Sequence, residues 1–190
     1  VPGPTVMLVV SYALGSGRSA GWATVPGVTL GDFIALTVSL LGAGVILATS
    51  ATLFTILKFV GAAYLIWLGV KLWRSNMHLD DVPKANDGLS RKSMFWNAWM
   101  VTTLNPKGIV FFVAFVPQFV NVSQETLPQF VILEVTFLVL AFINILLWAM
   151  LASKLRDRFK QPRTLQIANR TGAAFLIGAG LLTATVRRGT

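Results

Sequence analysis

Cysteine is absent from the 190 residues, and His78 is the only histidine. Without cysteine there is no disulfide framework and no thiolate metal site. A lone histidine excludes paired-histidine zinc motifs such as H-E-x-x-H. It also leaves no Ser-His or Cys-His set for nucleophilic catalysis. We therefore expect no enzyme, no catalytic residue, no bound metal and no cofactor. Charge is scarce too: 12% of residues are charged, about half of the ~25% usual in soluble domains. What fills the chain is apolar, 55% hydrophobic with a mean hydropathy of +0.70. The apolar residues come in long runs, which points to an all-α integral membrane protein.

Five full segments stand out, about Thr24–Ala48, Ala51–Trp73, Ser93–Val120, Phe130–Ala152 and Ile167–Val186. Each is near the ~20 residues that cross ~30 Å of hydrocarbon. Thr5–Ala13 has the character of the second half of a further span, placed first in the chain. Its earlier half is expected to lie ahead of Val1. The polar connections are Leu14–Ala23, Arg74–Lys92, Asn121–Gln129 and Ser153–Gln166, with a link of only a few residues around Thr49-Ser50.

Charge orients these spans. Twelve of the sixteen basic residues fall on one side, from Arg18 through Lys71, Arg74 and Arg91 to the run between Lys154 and Arg170. The positive-inside rule puts that side in the cytoplasm and both termini outside. The same bias bears on Asn105-Pro106-Lys107-Gly108, which interrupts the third full segment. A re-entrant hairpin there would put the basic connections Arg74–Lys92 and Ser153–Gln166 on opposite faces, so one broken span is preferred.

Two such interruptions occur. Pro2-Gly3-Pro4 opens the chain and runs into an apolar stretch; Asn105-Pro106-Lys107-Gly108 is the other. Proline removes a backbone donor, and in lipid that defect survives only where protein or a water-filled cavity satisfies the freed groups. The first break aligns on the second at an offset of 103. Gly61-Ala-Ala-Tyr-Leu-Ile-Trp-Leu-Gly69 is echoed by Gly172-Ala-Ala-Phe-Leu-Ile-Gly-Ala-Gly180 at an offset of 111, and Asp32 falls beside Glu134 at 102. Three spans per half force the halves into opposite orientations. The expected architecture is six transmembrane helices as two inverted three-helix repeats, the first helix truncated at its N-terminus. Repeat one covers about 1–73, a cytoplasmic linker 74–92, and repeat two about 93–190.

Charged groups inside spans are the candidate site. A carboxylate at the depth of Asp32 costs about 2.5–3.5 kcal/mol on insertion scales, so Asp32 is read as a proton- or amine-binding group or as half of a structural ion pair. Lys107, beside the second break, is its favoured partner by charge and depth. Unwound backbone there could offer amides and carbonyls to a zwitterion. Lys58 reads equally as a binding residue or a snorkelling one, and Glu134 as an exit-lining or an interfacial carboxylate. Arg170 reads as structural. Asn144 is expected to join helices by a hydrogen bond, and Gly27 and Gly31 to allow close packing.

The remaining features have plain readings. Trp22, Trp73 and Trp96 sit near predicted boundaries, as aromatic belts do. The acidic loop Asp80–Asp87 lacks EF-hand spacing and reads as a solvated linker. The basic run Lys154–Lys160 suits anionic lipid headgroups, and no nucleic-acid partner is expected.

Pro2-Gly3-Pro4, Gly31-Asp32, Lys58-Phe-Val-Gly61-Ala-Ala-Tyr64-Leu and Gly69 resemble the first half of the LysE/RhtB amino-acid exporters. Phe95, Asn105-Pro106-Lys107, Phe111-Phe112 and Pro117-Gln118-Phe119 resemble the second. The resemblance covers essentially the whole chain. It implies a multi-pass protein of the bacterial inner membrane that exports amino acids or their derivatives, driven by the proton or ion gradient, with the proton as the expected coupling ion. Functional expectations fall on Pro4, Asp32, Asn105, Pro106 and Lys107, with Lys58 and Glu134 added from the residue reading. One departure is that family members carry an apolar stretch before Pro-Gly-Pro. The alternatives are an inorganic cation exporter of the same superfamily and a non-transporting membrane scaffold. The reading admits a homo-oligomer.

Overall fold

The computed structural model describes residues 3–75, 89–121, 123–154 and 162–185. The interior of the central linker with His78 and Asp80–Asp87, the basic residues Arg156, Arg158 and Lys160, and Arg187-Arg188 lie outside the described residues.

Among the described residues the regular structure is entirely helical. Seven α-helices follow in order: α1 Pro4–Ser16, α2 Arg18–Thr49, α3 Ala51–Arg74, α4 Arg91–Thr103, α5 Pro106–Ala114, α6 Thr126–Lys154 and α7 Pro162–Thr185, with a short 3-10 turn Val116–Phe119 after α5. Seven helices replace the six expected because the segment Ser93–Val120 divides at its break into α4 and α5. By length and composition, α2, α3, α6 and α7 can each cross a membrane, and α4 with α5 makes a fifth candidate, bent by 45°. The apolar α1 has only 13 residues.

Local chemistry explains the ends. Ser50 caps α3, accepting from Leu53 N at 3.1 Å. Ser90 caps α4, accepting from Ser93 N at 3.2 Å. Proline opens α1 and α5, where its missing N–H costs nothing. The expected loop Leu14–Ala23 is corrected: α1 and α2 are separated by Gly17 alone, at φ 64° and ψ −146°. Only glycine adopts that conformation readily, so one residue reverses the chain and the polar residues around it stay helical.

In lipid the hydrophobic effect does not drive helices together, so close packing at small residues must do it. A Cβ at Gly31 would come 2.8 Å from Thr102 Cβ and 2.9 Å from the Trp99 carbonyl oxygen, and one at Gly27 would collide with the Phe95 carbonyl. These contacts set α2 parallel to α4. Further along, Ala35, Leu36 and Leu40 of α2 join Phe112 and Val116 in one apolar cluster. Thus α2 lies beside α4 and then α5, and the chain continues in one direction through its break. A second cluster gathers Val9 and Val10 of α1, Ala20 and Val28 of α2, Met94 and Ala98 of α4, and Ile145 and Ala149 of α6.

α3 and α7 form a close antiparallel pair. A Cβ at Gly69 would lie 2.6 Å from Ile177 Cγ1 and 3.0 Å from the Ala173 oxygen; one at Gly180 would lie 2.7 Å from Ile66 Cγ1 and 2.9 Å from the Ala62 oxygen. Ala62, Ile66 and Gly69 map onto Ala173, Ile177 and Gly180 at the same offset of 111, so the contact is reciprocal. Gly61 links this pair to the other helices, its Cα facing Ala114 of α5 so closely that a Cβ would collide.

Candidate functional site

The two helix breaks meet. Thr5, immediately after Pro4, accepts through its hydroxyl oxygen from Thr102 Oγ1 at 3.2 Å and from Asn105 Nδ2 at 3.4 Å. Asn105 is buried, and its Oδ1 accepts from Lys107 N at 3.2 Å, capping α5. One amide thus ties the start of α1 to the start of α5. The tie is doubled a little further along by Asn97 Nδ2, which donates to the buried Tyr12 hydroxyl at 2.9 Å.

Asp32 follows Gly31 on α2, where α2 touches Thr102. It is half-buried, as is Lys107. Both stand between the two apolar clusters: α2 contributes Val28 to one and Ala35 to the other, and the broken span contributes Ala98 to one and Phe112 to the other. Along α2 and the broken span the two apolar clusters are thus separated by a stretch that carries Asp32, Thr102, Asn105 and Lys107. The start of α1 and the break between α4 and α5 meet here, with Asp32 one residue from the Gly31–Thr102 contact and Lys107 two residues after Asn105. Between apolar clusters a charged group has few alternatives to a ligand, water or a partner of opposite sign.

The other expected residues lie along the same helix bundle. Glu134 of α6 is half-buried and hydrogen-bonds the Thr37 hydroxyl of α2, whose oxygen also lies 2.8 Å from the Phe33 carbonyl. Glu134 therefore joins α6 to α2 little more than a turn beyond Asp32. Lys58 is half-buried one turn before Gly61, its Nζ 5.6 Å from the Phe59 ring centroid. Pro4 and Pro106 are exposed at the first positions of α1 and α5. Arg170 lies 5.8 Å over the Trp73 ring.

Asn144 is corrected. It is exposed on α6, and the interhelical amide bonds of the bundle are made by Asn97, by Asn105 and by Asn169, which donates to the Leu72 carbonyl at 2.6 Å. The periodicity of an all-round apolar helix does not say which side faces its neighbours, so the outward position of Asn144 was hidden. The bridging residues Thr5 and Thr102 were missed. Their signal was adjacency, since each stands within a few residues of a break.

Apolar helices of membrane-crossing length, packed around the junction of α1 with the break between α4 and α5, define a multi-span membrane protein of the transporter class. The chain matches the LysE type translocator family over residues 1–186 and belongs to that family. It is thus a transporter and not an enzyme. It is 33% identical over 186 residues to a homoserine/homoserine lactone efflux protein of Salmonella typhi, covering 98% of this chain and 90% of that protein. An uncharacterized membrane protein of Vibrio cholerae is 30% identical over 186 residues with the same coverage. A leucine efflux protein of Enterobacter sp. is 31% identical over 143 residues, 75% of this chain and 68% of that protein. No solved structure matches the chain.

Proposed function

We propose that this chain is a secondary exporter of amino acids or amino-acid derivatives in a bacterial inner membrane, driven by the proton gradient. The observation that carries the reading is the junction of the two breaks through Thr5, Thr102 and Asn105, with Asp32 beside the Gly31–Thr102 contact and Lys107 just after Asn105. The efflux proteins among its relatives support amino-acid-sized cargo.

In this mechanism the substrate ammonium meets Asp32, and its carboxylate meets Lys107 and the N-terminal end of α5, whose dipole favours an anion. Pro4 and Pro106 keep the helix starts open, and Asn105 holds them together. Proton exchange on Asp32 couples transport to the gradient; Glu134 and Lys58 line the approaches. The helices form two inverted three-helix repeats, about 1–73 and 93–190, joined by a cytoplasmic linker at 74–92. The reciprocal seating of Gly69 and Gly180 supports that two-fold relation. Rocking of one half against the other exposes the site to either side in turn, with the basic connections in the cytoplasm and both termini outside.

The test is efflux of radiolabelled homoserine and leucine from preloaded cells, with and without a protonophore. Wild-type protein is expected to speed efflux, and Asp32→Asn and Lys107→Ala to abolish it. Wild-type rates in both variants would remove the proposed site, and no acceleration by the wild type for any amino acid would remove the function.

A further inference from the structure

Among the described residues, four buried side-chain polar atoms have no hydrogen-bond partner: Trp99 Nε1, Thr103 Oγ1, Asn169 Oδ1 and Thr183 Oγ1. Asn169 is engaged through its other amide atom. Trp99 and Thr103 differ from the rest in their place. They are four residues apart on α4, so they share one face, and Thr103 is the last residue before the break. The Trp99 carbonyl is the oxygen against which Gly31 packs, one residue from Asp32. The indole is held edge-on by Trp96, with ring centroids 5.2 Å apart at 87°.

The Thr103 hydroxyl has an internal solution that it does not take. A helical threonine can return its proton to the carbonyl four residues earlier. Thr24, Thr29 and Thr171 do so here, at 2.8, 2.9 and 2.9 Å. Thr102 instead spends its hydroxyl on Thr5. Thr103 does neither. The Trp99 N–H can only donate, so its missing partner must be an acceptor. Buried donors are almost always satisfied in folded proteins, and two left open on one face, beside an interrupted helix, call for a partner that arrives from outside.

We infer that Trp99 and Thr103 form a donor subsite for the transported molecule, hydrogen-bonding its carboxylate or carbonyl oxygens as it reaches the break. The inference rests on the export reading above and deepens it. Asp32 and Lys107 supply charge, which attracts any zwitterion. Trp99 and Thr103 supply directional, uncharged donors, which reject a molecule lacking the acceptor because they would then stay buried and unpaired.

The experiment uses purified protein in proteoliposomes with radiolabelled leucine or homoserine as probe. Transport is measured for wild type, Trp99→Phe, Thr103→Val and Thr103→Ser. Thr103→Val keeps shape and removes one donor; Trp99→Phe removes the other donor together with part of the ring. KM is expected to rise about 10-fold in each, with maximal rate nearly unchanged, since one substrate hydrogen bond is lost. Thr103→Ser is expected to restore the wild-type KM. Decarboxylated 3-methylbutylamine, a poor competitor of leucine in the wild type, should compete relatively better in both variants. The detergent Tm of Thr103→Val should not fall, because no internal bond is removed; Trp99→Phe loses ring packing and is judged by KM and by the competition pattern instead. An unchanged KM in both variants, with the wild type transporting, overturns the subsite alone. So does a lowered Tm that accounts for the transport loss and is not rescued by serine. If the wild type moves neither probe nor any other amino acid, the export reading fails and the subsite falls with it.

Discussion

Asn105 donates to Thr5 across 100 residues of sequence, Nδ2 to Oγ1 at 3.4 Å, while its other amide atom caps α5. Each half of this side chain does a separate job. The oxygen satisfies an N–H that the break would otherwise leave open, and the nitrogen holds α1 against the break. An asparagine does both without introducing charge into the apolar bundle, which explains why an amide and not a carboxylate stands between Leu104 and Pro106.

The two jobs can be separated by substitution. Asn105→Ala removes both and is expected to lower stability by about 1–2 kcal/mol from the lost cap alone. Thr5→Val leaves the cap and loses the bonds to Asn105 and Thr102, so its destabilisation should be smaller. Asn105→Asp keeps the cap acceptor but buries a carboxylate, so it should be less stable than Thr5→Val. Thermal unfolding in detergent, read by circular dichroism, orders the three. A Thr5→Val protein less stable than Asn105→Ala would contradict this assignment.

Asp32 is proposed to carry the coupling proton, and this role differs from substrate binding in what its loss spares. An asparagine at 32 retains a polar oxygen for the substrate ammonium but cannot exchange a proton. Asp32→Asn is therefore expected to lose uphill efflux by at least about 10-fold, a transition-state or coupling deficit near 1.4 kcal/mol, while substrate-for-substrate exchange across liposomes survives. If exchange is lost together with efflux, the carboxylate charge is required for substrate binding itself, and the separation of the two roles at Asp32 fails.

Where the chain breaks was legible, and how it turns was less so. Proline announces the starts of α1 and α5 because its missing N–H is tolerated there and costly further in. The Gly61 and Gly172 echo was legible because helix contact at small residues needs those residues in fixed register. The α1–α2 boundary was not: four polar or small residues, Ser16 to Ser19, look like a loop, yet Gly17 alone makes the turn. The Thr5–Thr102 bond was equally hidden, since it depends on which helices become neighbours and not on any local pattern.

That turn makes a sharp prediction at Gly17. Nothing lies within 4 Å of a Cβ built there, so space does not forbid a side chain. The backbone does, because φ 64° with ψ −146° is essentially a glycine conformation. Gly17→Ala should cost about 1–3 kcal/mol from strain alone. Gly42, inside exposed α2 and equally open, is the control: Gly42→Ala should be neutral or stabilising by about 0.5–1 kcal/mol. Equal effects at the two positions in a detergent Tm series would show that Gly17 is not strained.

The reciprocal contact of α3 and α7 predicts how two substitutions combine. Gly69→Val and Gly180→Val each push a side chain into an isoleucine and a backbone carbonyl of the opposite helix. Overpacking of this kind costs about 1–3 kcal/mol, and the matched surroundings make the two costs nearly equal. The two glycines meet different residues, Ala173 and Ile177 for one and Ala62 and Ile66 for the other, so simple additivity would be the first expectation. They share one interface, however. Once either valine has forced the helices apart, the second finds room already made. The double variant should therefore be less destabilised than the sum of the singles, by a coupling of about 0.5 kcal/mol or more. Tm measurements on the two single variants and the double variant decide it. Strict additivity would mean that each glycine is accommodated locally and that α3 and α7 do not move as rigid partners, which would also weaken the case for a two-fold axis running between them.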